Sequence, residues 1–469
     1  MARKVFISVL GTSFYGACKY VKGKFVSTET RFIQQATLEY LEAKSRWTSQ
    51  DENGDALDRI LILLTESAKD TNWSKNKTTR FNFKTEKEEP YERLEQILEN
   101  MNLPCPVETR DIPDGKNEDE MWSIFDTVYE YLKPDDELYF DLTHSFRYLP
   151  MLVLVLGNYA KFLKGVKVKH ISYGNYEARN EDTNEAPLMD ILPLTMLQDW
   201  TFAAADLIQN GNIRKFKELR EANALTPFMR MRGKKNIERI SLEGQWDGYI
   251  NSLEQFLFDM KLCFGPNIIN GSTINRVNYN FEQGKEIFNN VVAPIPPIIN
   301  KILESLEKFE KTDEDDPDRL SLLNGYEAAK WCYDHQLYQQ ALTILDENIT
   351  THFCKYLGTD EYVYEQRTDS NALLRHGEYK EEDWKPKKEK EDNSDWEKIK
   401  KMVEEAASTD SVKDFISQMS EDARWIHNKR NSYNHASMTR NEREQFRKSD
   451  VEELERRINE IRRIVRGLL

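Results

Sequence analysis

The sequence predicts an α/β N-terminal domain built on a parallel sheet, followed by an all-α connector and a second all-α domain. Three observations lead there. From residue 3 to about 195, short β-branched runs alternate with longer helical-period segments. After Leu197 the β-branched runs fade and apolar residues recur at helical spacing. The acidic run Thr312 to Asp318, interrupted by Pro317, then reads as a boundary. The expected domains are 1–197, 198–318 and 319–469.

In the first domain the strands expected are Val5 to Leu10, Arg59 to Thr65, Val107 to Ile112, Glu137 to Leu142 and Val166 to Tyr173. Between them fall helices over Thr30 to Lys44, Pro90 to Asn100, Glu118 to Leu132 and Arg147 to Leu163. The polar, lysine-rich stretch Ser74 to Glu89 reads as a long loop. Further on, helices are expected over Trp200 to Leu219, Leu253 to Leu262 and Ile298 to Phe309, with irregular structure around Gly265 to Gly284. Leu320 to Leu357 forms one long amphipathic block, and the charged stretch Lys380 to Asp395 reads as a loop. At the end, Val451, Leu454, Ile458, Ile461, Val465 and Leu468 recur in steps of three and four, so one face of a final helix is apolar and seeks a partner helix or a second chain.

Composition narrows the function. The 469 residues carry 66 Lys and Arg against 81 Asp and Glu, a net charge of −15, so nucleic acid can be held only at local basic patches. Residues 421–469 reverse the balance with 12 basic and 9 acidic side chains, among them Arg440, Arg443, Arg447 and Lys448. Arg456, Arg457, Arg462, Arg463 and Arg466 read as the solvated face of the last helix. Five separated cysteines without a C-x-x-C pair speak against disulfides or a thiolate zinc site and for a reducing cytoplasm. No carboxylate or Cys/His cluster has metal-ligand spacing, so no metal is expected. The longest apolar stretch, Leu149 to Leu156, is far short of the roughly 20 residues of a membrane span.

Three stretches carry chemistry. The first strand runs into Gly11-Thr12-Ser13-Phe14-Tyr15-Gly16 at its carboxyl end, where open α/β sheets bind ligands. Its glycines have Walker spacing, but Ala17 and Cys18 occupy the Lys and Ser/Thr positions, and G-x-G-x-x-G is absent. The loop reads either as a phosphate or ribose cradle or as an ordinary turn. After the fourth strand comes Asp141-Leu142-Thr143-His144-Ser145-Phe146-Arg147, leading into an apolar helix whose N-terminus suits anions. The plainer reading makes Asp141 or Thr143 a helix cap. In the C-terminal block, Arg430-Asn431-Ser432-Tyr433-Asn434-His435 is the one Arg-x4-His of the chain. Asn431 and His435 share a helix face, and Arg430 must reach round to join them. Histidine moves a proton near neutral pH and arginine holds charge on a pentacoordinate phosphorus, which suits phosphodiester cleavage. His427 extends the stripe and competes for a role.

Together these residues resemble the CARF–HEPN effector ribonucleases of type III CRISPR systems, in the branch marked by a D-x-T-H-G signature. Asp141-Leu142-Thr143-His144-Ser145 matches that signature with serine in place of glycine, and Phe146-Arg147-Tyr148-Leu149-Pro150 continues as the branch does. Gly11-Thr12-Ser13 matches the other ligand loop of the family, and Arg430, Asn431 and His435 match the HEPN motif. The resemblance implies a Rossmann-like CARF domain that binds cyclic oligoadenylate through Gly11, Thr12, Ser13, Asp141, Thr143, His144, Ser145, Phe146 and Arg147. It further implies a helical HEPN domain that cuts single-stranded RNA without a metal or other cofactor. The RNA 2′-hydroxyl attacks the adjacent phosphate to leave a 2′,3′-cyclic phosphate, with His435 moving the proton, Arg430 stabilising charge and Asn431 positioning. A two-fold homodimer is expected, since one chain supplies a single Arg430 and a single His435, and Leu454, Ile458, Ile461 and Val465 are candidates for its contact. The residues leave open a non-enzymatic nucleotide sensor, a nicotinamide-dependent oxidoreductase, and a sensor that slowly cleaves its own activator.

Overall fold

In the computed structural model, the described residues are 2–48, 57–74, 76–82, 85–144, 149–222, 236–291, 294–309, 322–376, 401, 405, 408–435 and 448–468. They form two compact units, 1–196 and 197–469. The boundary expected at residue 318 and the expected loop Lys380 to Asp395 lie outside the described residues.

The first unit is a doubly wound sheet. Its central strands are β1 (Lys4–Leu10), β4 (Arg59–Leu64), β7 (Val107–Asp111), β8 (Glu137–Asp141) and β9 (Lys167–Gly174). They run parallel in the order β9-β8-β1-β4-β7. Three strands not foreseen from the sequence extend the β9 edge: β10 (Glu185–Asp190) antiparallel to β9, then β2 (Lys19–Lys22) and β3 (Phe25–Val26). These are short, and β10 contains a proline, so their β signal is weak until a sheet edge is there to pair with. The expected loop Ser74 to Glu89 contains a hairpin, β5 (Thr79–Asn82) with β6 (Lys87–Pro90).

Alternation along β1 divides the core. Phe6 and Leu10 face one layer with α1 (Ile33–Thr48) and α2 (Leu94–Asn100), where Phe32, Ala36 and Leu94 are buried. Val5, Ile7 and Val9 face the other with α3 (Glu118–Tyr131) and α4 (Leu149–Lys164), where Ile124, Val128 and Leu156 are buried. Burial on both faces explains the unbroken apolar run from Ile60 to Leu64. Asn117 fixes the start of α3, its side chain accepting from the Glu120 N–H ahead of three acidic residues in the first turn.

The second unit is helical. α5 (Leu192–Asn210), α6 (Arg214–Glu221) and α7 (Asn236–Lys261) meet through Trp200, Phe216 and Trp246. The irregular region expected around Gly265 to Gly284 is instead α8 (Gly265–Ile269) followed by α9 (Ser272–Val291). Buried Ile274, Val277 and Phe281 hold α9 despite its weak helix formers. α10 (Pro296–Leu306) follows. The expected block Leu320 to Leu357 is two helices, α11 (Leu322–Asp334) and α12 (Tyr338–Leu357). Gln336 takes φ +60° and the Leu337 N–H reaches back to the Cys332 carbonyl, which ends α11. α13 (Tyr364–His376), α14 (Asp410–Asn434) and α15 (Lys448–Leu468) complete the unit, α12 packing on α14 and α11 on α15.

α15 decides one open expectation and corrects another. Leu454, Ile458, Ile461 and Val465 are buried within the chain itself, so they are not available as a dimer contact. Its arginines are not all solvated. Arg457 is buried between Asp422 and Glu453, and Arg462 binds the buried Glu327 of α11 at 2.6 Å, with Arg466 joining at 2.8 Å. These pairs fix the register of α15 on α11 and α14, since an unpaired buried charge is costly. Glu327→Ala is expected to lower stability by about 3 kcal/mol, because it strands Arg462, while Glu327→Gln costs less. Urea denaturation of the full chain checks this; equal stabilities of Glu327→Ala and wild type would show the pairing to be incidental.

Candidate functional sites

Sheet order locates the first site. Among the five central strands, the chain goes from β1 to β4 and β7 on one side, then returns to β8 and β9 on the other. The direction of winding therefore reverses between β1 and β8, and the crevice outside the carboxyl ends of those two strands is where such sheets take ligands. The loops that leave these strands are the two polar stretches singled out in the sequence.

Asp141, at the end of β8, is 1% exposed. Its Oδ2 accepts from the Ser8 hydroxyl of β1 at 2.8 Å, and its Oδ1 from the Thr143 hydroxyl at 2.7 Å and the Thr143 N–H at 3.2 Å. The Thr143 hydroxyl in turn accepts from the Gly174 N–H at the end of β9, at 2.8 Å. Asp141 and the Thr143 hydroxyl thus tie three strand ends together and act on the site by positioning. Burial raises the Asp141 carboxyl to a pKa of about 6, against the lowering by its Thr143 and Ser8 hydrogen bonds.

His144 follows directly. Its ring stacks on Tyr15 of the first loop with centroids 3.9 Å apart. Burial lowers its pKa to about 4, so at neutral pH it is an uncharged imidazole rather than an anion-binding cation. Its Nε2 is buried with no hydrogen-bond partner among the described residues. Gly11 lies against it: a Cβ there would be 3.3 Å from the His144 Cβ and would collide with the Tyr15 hydroxyl. A larger residue there would have to displace the Tyr15 hydroxyl and press on His144, so the close approach of the two loops favours glycine. Thr12 and Ser13 are exposed. Ser145, Phe146 and Arg147 lie outside the described residues.

Several groups at this crevice were not foreseen. Asn72, in the turn Lys69–Trp73 after β4, donates to the Gly11 carbonyl at 2.7 Å and to that of Ser13 at 3.0 Å. Arg80 of the hairpin donates to the Thr12 carbonyl at 2.6 Å and to that of Ser13 at 2.8 Å. Arg31 donates to the Tyr15 carbonyl at 2.8 Å. Both guanidinium groups lie over Phe14 and Tyr91, and Arg179 lies over Tyr176. The cations suit phosphates and the rings suit bases. An arginine in what reads as a polar loop gives no sign in the sequence that a hairpin will bring it back to the first loop.

The second site lies on α12 and α14. The Arg430 Nη2 donates to the Glu347 Oε1 at 2.8 Å, and its Nη1 lies 3.7 Å from the Asp346 Oδ2. The Asn431 Nδ2 donates to the His427 Nε2 at 2.8 Å, which leaves the His427 Nδ1 to donate to Asp346 at 3.1 Å. The structure thus joins Arg430 and Asn431 to His427 and to the adjacent acids of α12. His435 caps the C-terminus of α14, its N–H bonded to the Asn431 carbonyl at 3.1 Å, and its side chain is exposed. Arg440, Arg443 and Arg447 lie outside the described residues. Asp346 and Glu347 were not foreseen; two successive acids in the apolar pattern of α12 were the available signal.

The titrations of Asp141 and His144 have opposite signs. A histidine depressed from about 6.5 contributes stability above that pH and loses it as pH falls toward about 4. A carboxyl raised to about 6 contributes stability at low pH and loses it as pH rises through 6. The two offset each other in one window. In His144→Phe only the second survives, so the variant should gain on wild type by about 1.4 kcal/mol per pH unit as pH falls from 6.5 to 4.5. Urea titrations across that range check it, and a pH-independent difference would place His144 in solvent.

Comparison with known proteins bears on the first unit. Residues 5–177 match the family described as "CRISPR system endoribonuclease Csx1, CARF domain". The chain is also 28% identical over 143 residues to the CRISPR-associated protein MJ1674 of Methanocaldococcus jannaschii. That match spans 29% of this chain and 22% of the relative's length. Among the described residues no helix is long and apolar enough to cross a membrane. The α/β unit is therefore similar to the CARF domain of that family, and the chain that carries it is similar to CARF-containing effectors of type III CRISPR systems.

Proposed function

We propose that the chain is a cyclic-oligoadenylate-activated, metal-independent endoribonuclease of type III CRISPR defence. The observation that carries this reading is the convergence of the two polar loops at the switch point of a CARF-type sheet, flanked by Arg31, Arg80 and Arg179 over aromatic rings. A ligand of alternating phosphates and adenines needs that mixture of cations and rings at a sheet edge.

The nuclease role rests on Arg430, Asn431 and His435. The exposed imidazole of His435 is free to meet an RNA strand and move the 2′-hydroxyl proton. Arg430, held by Glu347, stabilises charge on the phosphorane, and Asn431 positions. The Asp346–His427–Asn431 chain sets the orientation of Asn431 beside Arg430. A homodimer brings two such half-sites together. With α15 buried, the candidate contact is the exposed apolar face of α4, where Met151 is 70% and Phe162 87% exposed.

The test is incubation of the full chain with labelled single-stranded RNA in EDTA, with and without a panel of cyclic oligoadenylates. Cleavage should require an activator, survive the chelator and leave 2′,3′-cyclic phosphate ends; activity lost on chelation and restored by Mg²⁺ would overturn the mechanism. His435→Ala and Arg430→Ala should each slow cleavage by roughly 10³-fold, about 4 kcal/mol, with activator binding intact. If His427→Ala abolishes cleavage and His435→Ala does not, the proton is moved by the histidine inside the network.

A further inference from the structure

Two helices of the second unit end on the ring of His335. Its Nδ1 lies 2.7 Å from the carbonyl oxygen of Trp331, in the last turn of α11, and its Nε2 lies 2.9 Å from that of Ile208, in the last turn of α5. A carbonyl oxygen only accepts, so each contact needs an N–H from the ring. A neutral imidazole has one N–H, whereas imidazolium has two. With either nitrogen bare, its lone pair would face a carbonyl lone pair at hydrogen-bond distance.

Three further features fit a cation at this point. The Ile208 carbonyl is a helix-end acceptor: the Gly211 N–H goes to Leu207 at 2.9 Å and the Asn212 N–H to Asp206 at 3.3 Å, so neither closing bond reaches it. Both helices turn the negative end of their dipoles toward the ring. The ring also stacks on the Trp331 indole, with centroids 3.8 Å apart and planes 25° apart, which sets its charge over an aromatic face. Gly211 permits this approach. It takes φ +60°, and a Cβ there would lie 2.8 Å from the Trp331 ring and 3.4 Å from that of His335.

The charge is held by these groups and not by a carboxylate. Among the described residues neither ring nitrogen has a carboxylate partner, and the charged groups of the surrounding elements are engaged elsewhere. Asp206 of α5 accepts from Asn210 and Asn212 and lies 3.9 Å from Lys215 of α6. Lys330 and Asp334 of α11 pair with each other, and Glu455 of α15 accepts from Tyr333. On α7, Glu254 pairs with Lys217 and Asp259 accepts from Gln255.

We propose that His335 carries both ring protons at neutral pH and is a pH-sensitive latch between the C-terminal ends of α5 and α11. Loss of one proton sets a bare nitrogen against a carbonyl oxygen, and that contact opens. The helices it joins give the latch its place in the molecule. α5 carries the chain across the boundary between the two units, and α11 packs on α12, which bears Asp346 and Glu347. The latch goes beyond the ribonuclease reading and does not rest on it.

Nitrogen NMR of the full chain labelled at histidine reads the charge state. With the His335 ring assigned through its contact with Trp331, both nitrogens should carry a proton at pH 7, and one proton should leave as the pH is raised. A single proton on the ring at pH 7 would overturn the latch. Stability gives a second reading. A histidine whose protonated form is held by the fold contributes stability fully present below about pH 6.5 and loses it as the pH rises above that. The urea midpoint of the wild type should therefore exceed that of His335→Gln by roughly 0.3 M at pH 6, and the gap should shrink by about half or more by pH 9. A gap that stays constant or widens over that range would equally overturn it. Should His335→Gln not fold, the ring spectrum of the wild type decides alone.

Discussion

The buried carboxyl of Asp141 is the constraint on which the α/β unit depends. It sits where the winding of the sheet reverses, with β1 held through Ser8 on one side and the end of β9 held through Thr143 on the other. A loop that must approach a ligand cannot also bury an apolar core, so its shape has to come from hydrogen bonds. One carboxyl with several acceptor sites does this economically, at the cost of desolvation that appears as its raised pKa. Because Asp141 sets Thr143, it also sets His144, and through the Tyr15 stack it sets the first loop. The glycine at position 11 is the steric counterpart of that arrangement.

The helical unit solves a similar problem with charge. Its arginines are used twice over: Arg457 and Arg462 are consumed by buried acids that hold α15 in register, whereas Arg430 is held by the half-exposed Glu347. The difference is exposure of the partner. A guanidinium enclosed with a buried carboxylate is a structural pin, while one resting on a carboxylate that also lines a cavity can exchange partners with an incoming anion at modest cost. Glu347 is therefore shared between the Arg430 ion pair and the wall of a cavity in this unit.

Sequence by itself determined the α/β order, the five parallel strands and the helices between them, because burial on both faces writes apolar runs and amphipathic periods directly into the chain. It also pointed to residues 11–16 and 141–144 as the polar ends of core strands and placed Arg430 and Asn431 on a helix, whereas His435 falls at the C-cap rather than on the helix face expected for it. Tertiary structure decided the rest. Whether Arg457 is solvent-facing or buried depends on Asp422, which lies 35 positions earlier, and no local pattern encodes that pairing. Arg80 joins the first loop through a hairpin whose strands have weak intrinsic preference, and β2, β3 and β10 exist only where a sheet edge pairs with them. Whether His144 is a cation or a neutral ring was settled by burial, and the company of His427 by the packing of α12 on α14. Periodicity is a property of neighbours in sequence. Charge state, ion pairing and cavity walls are properties of neighbours in space.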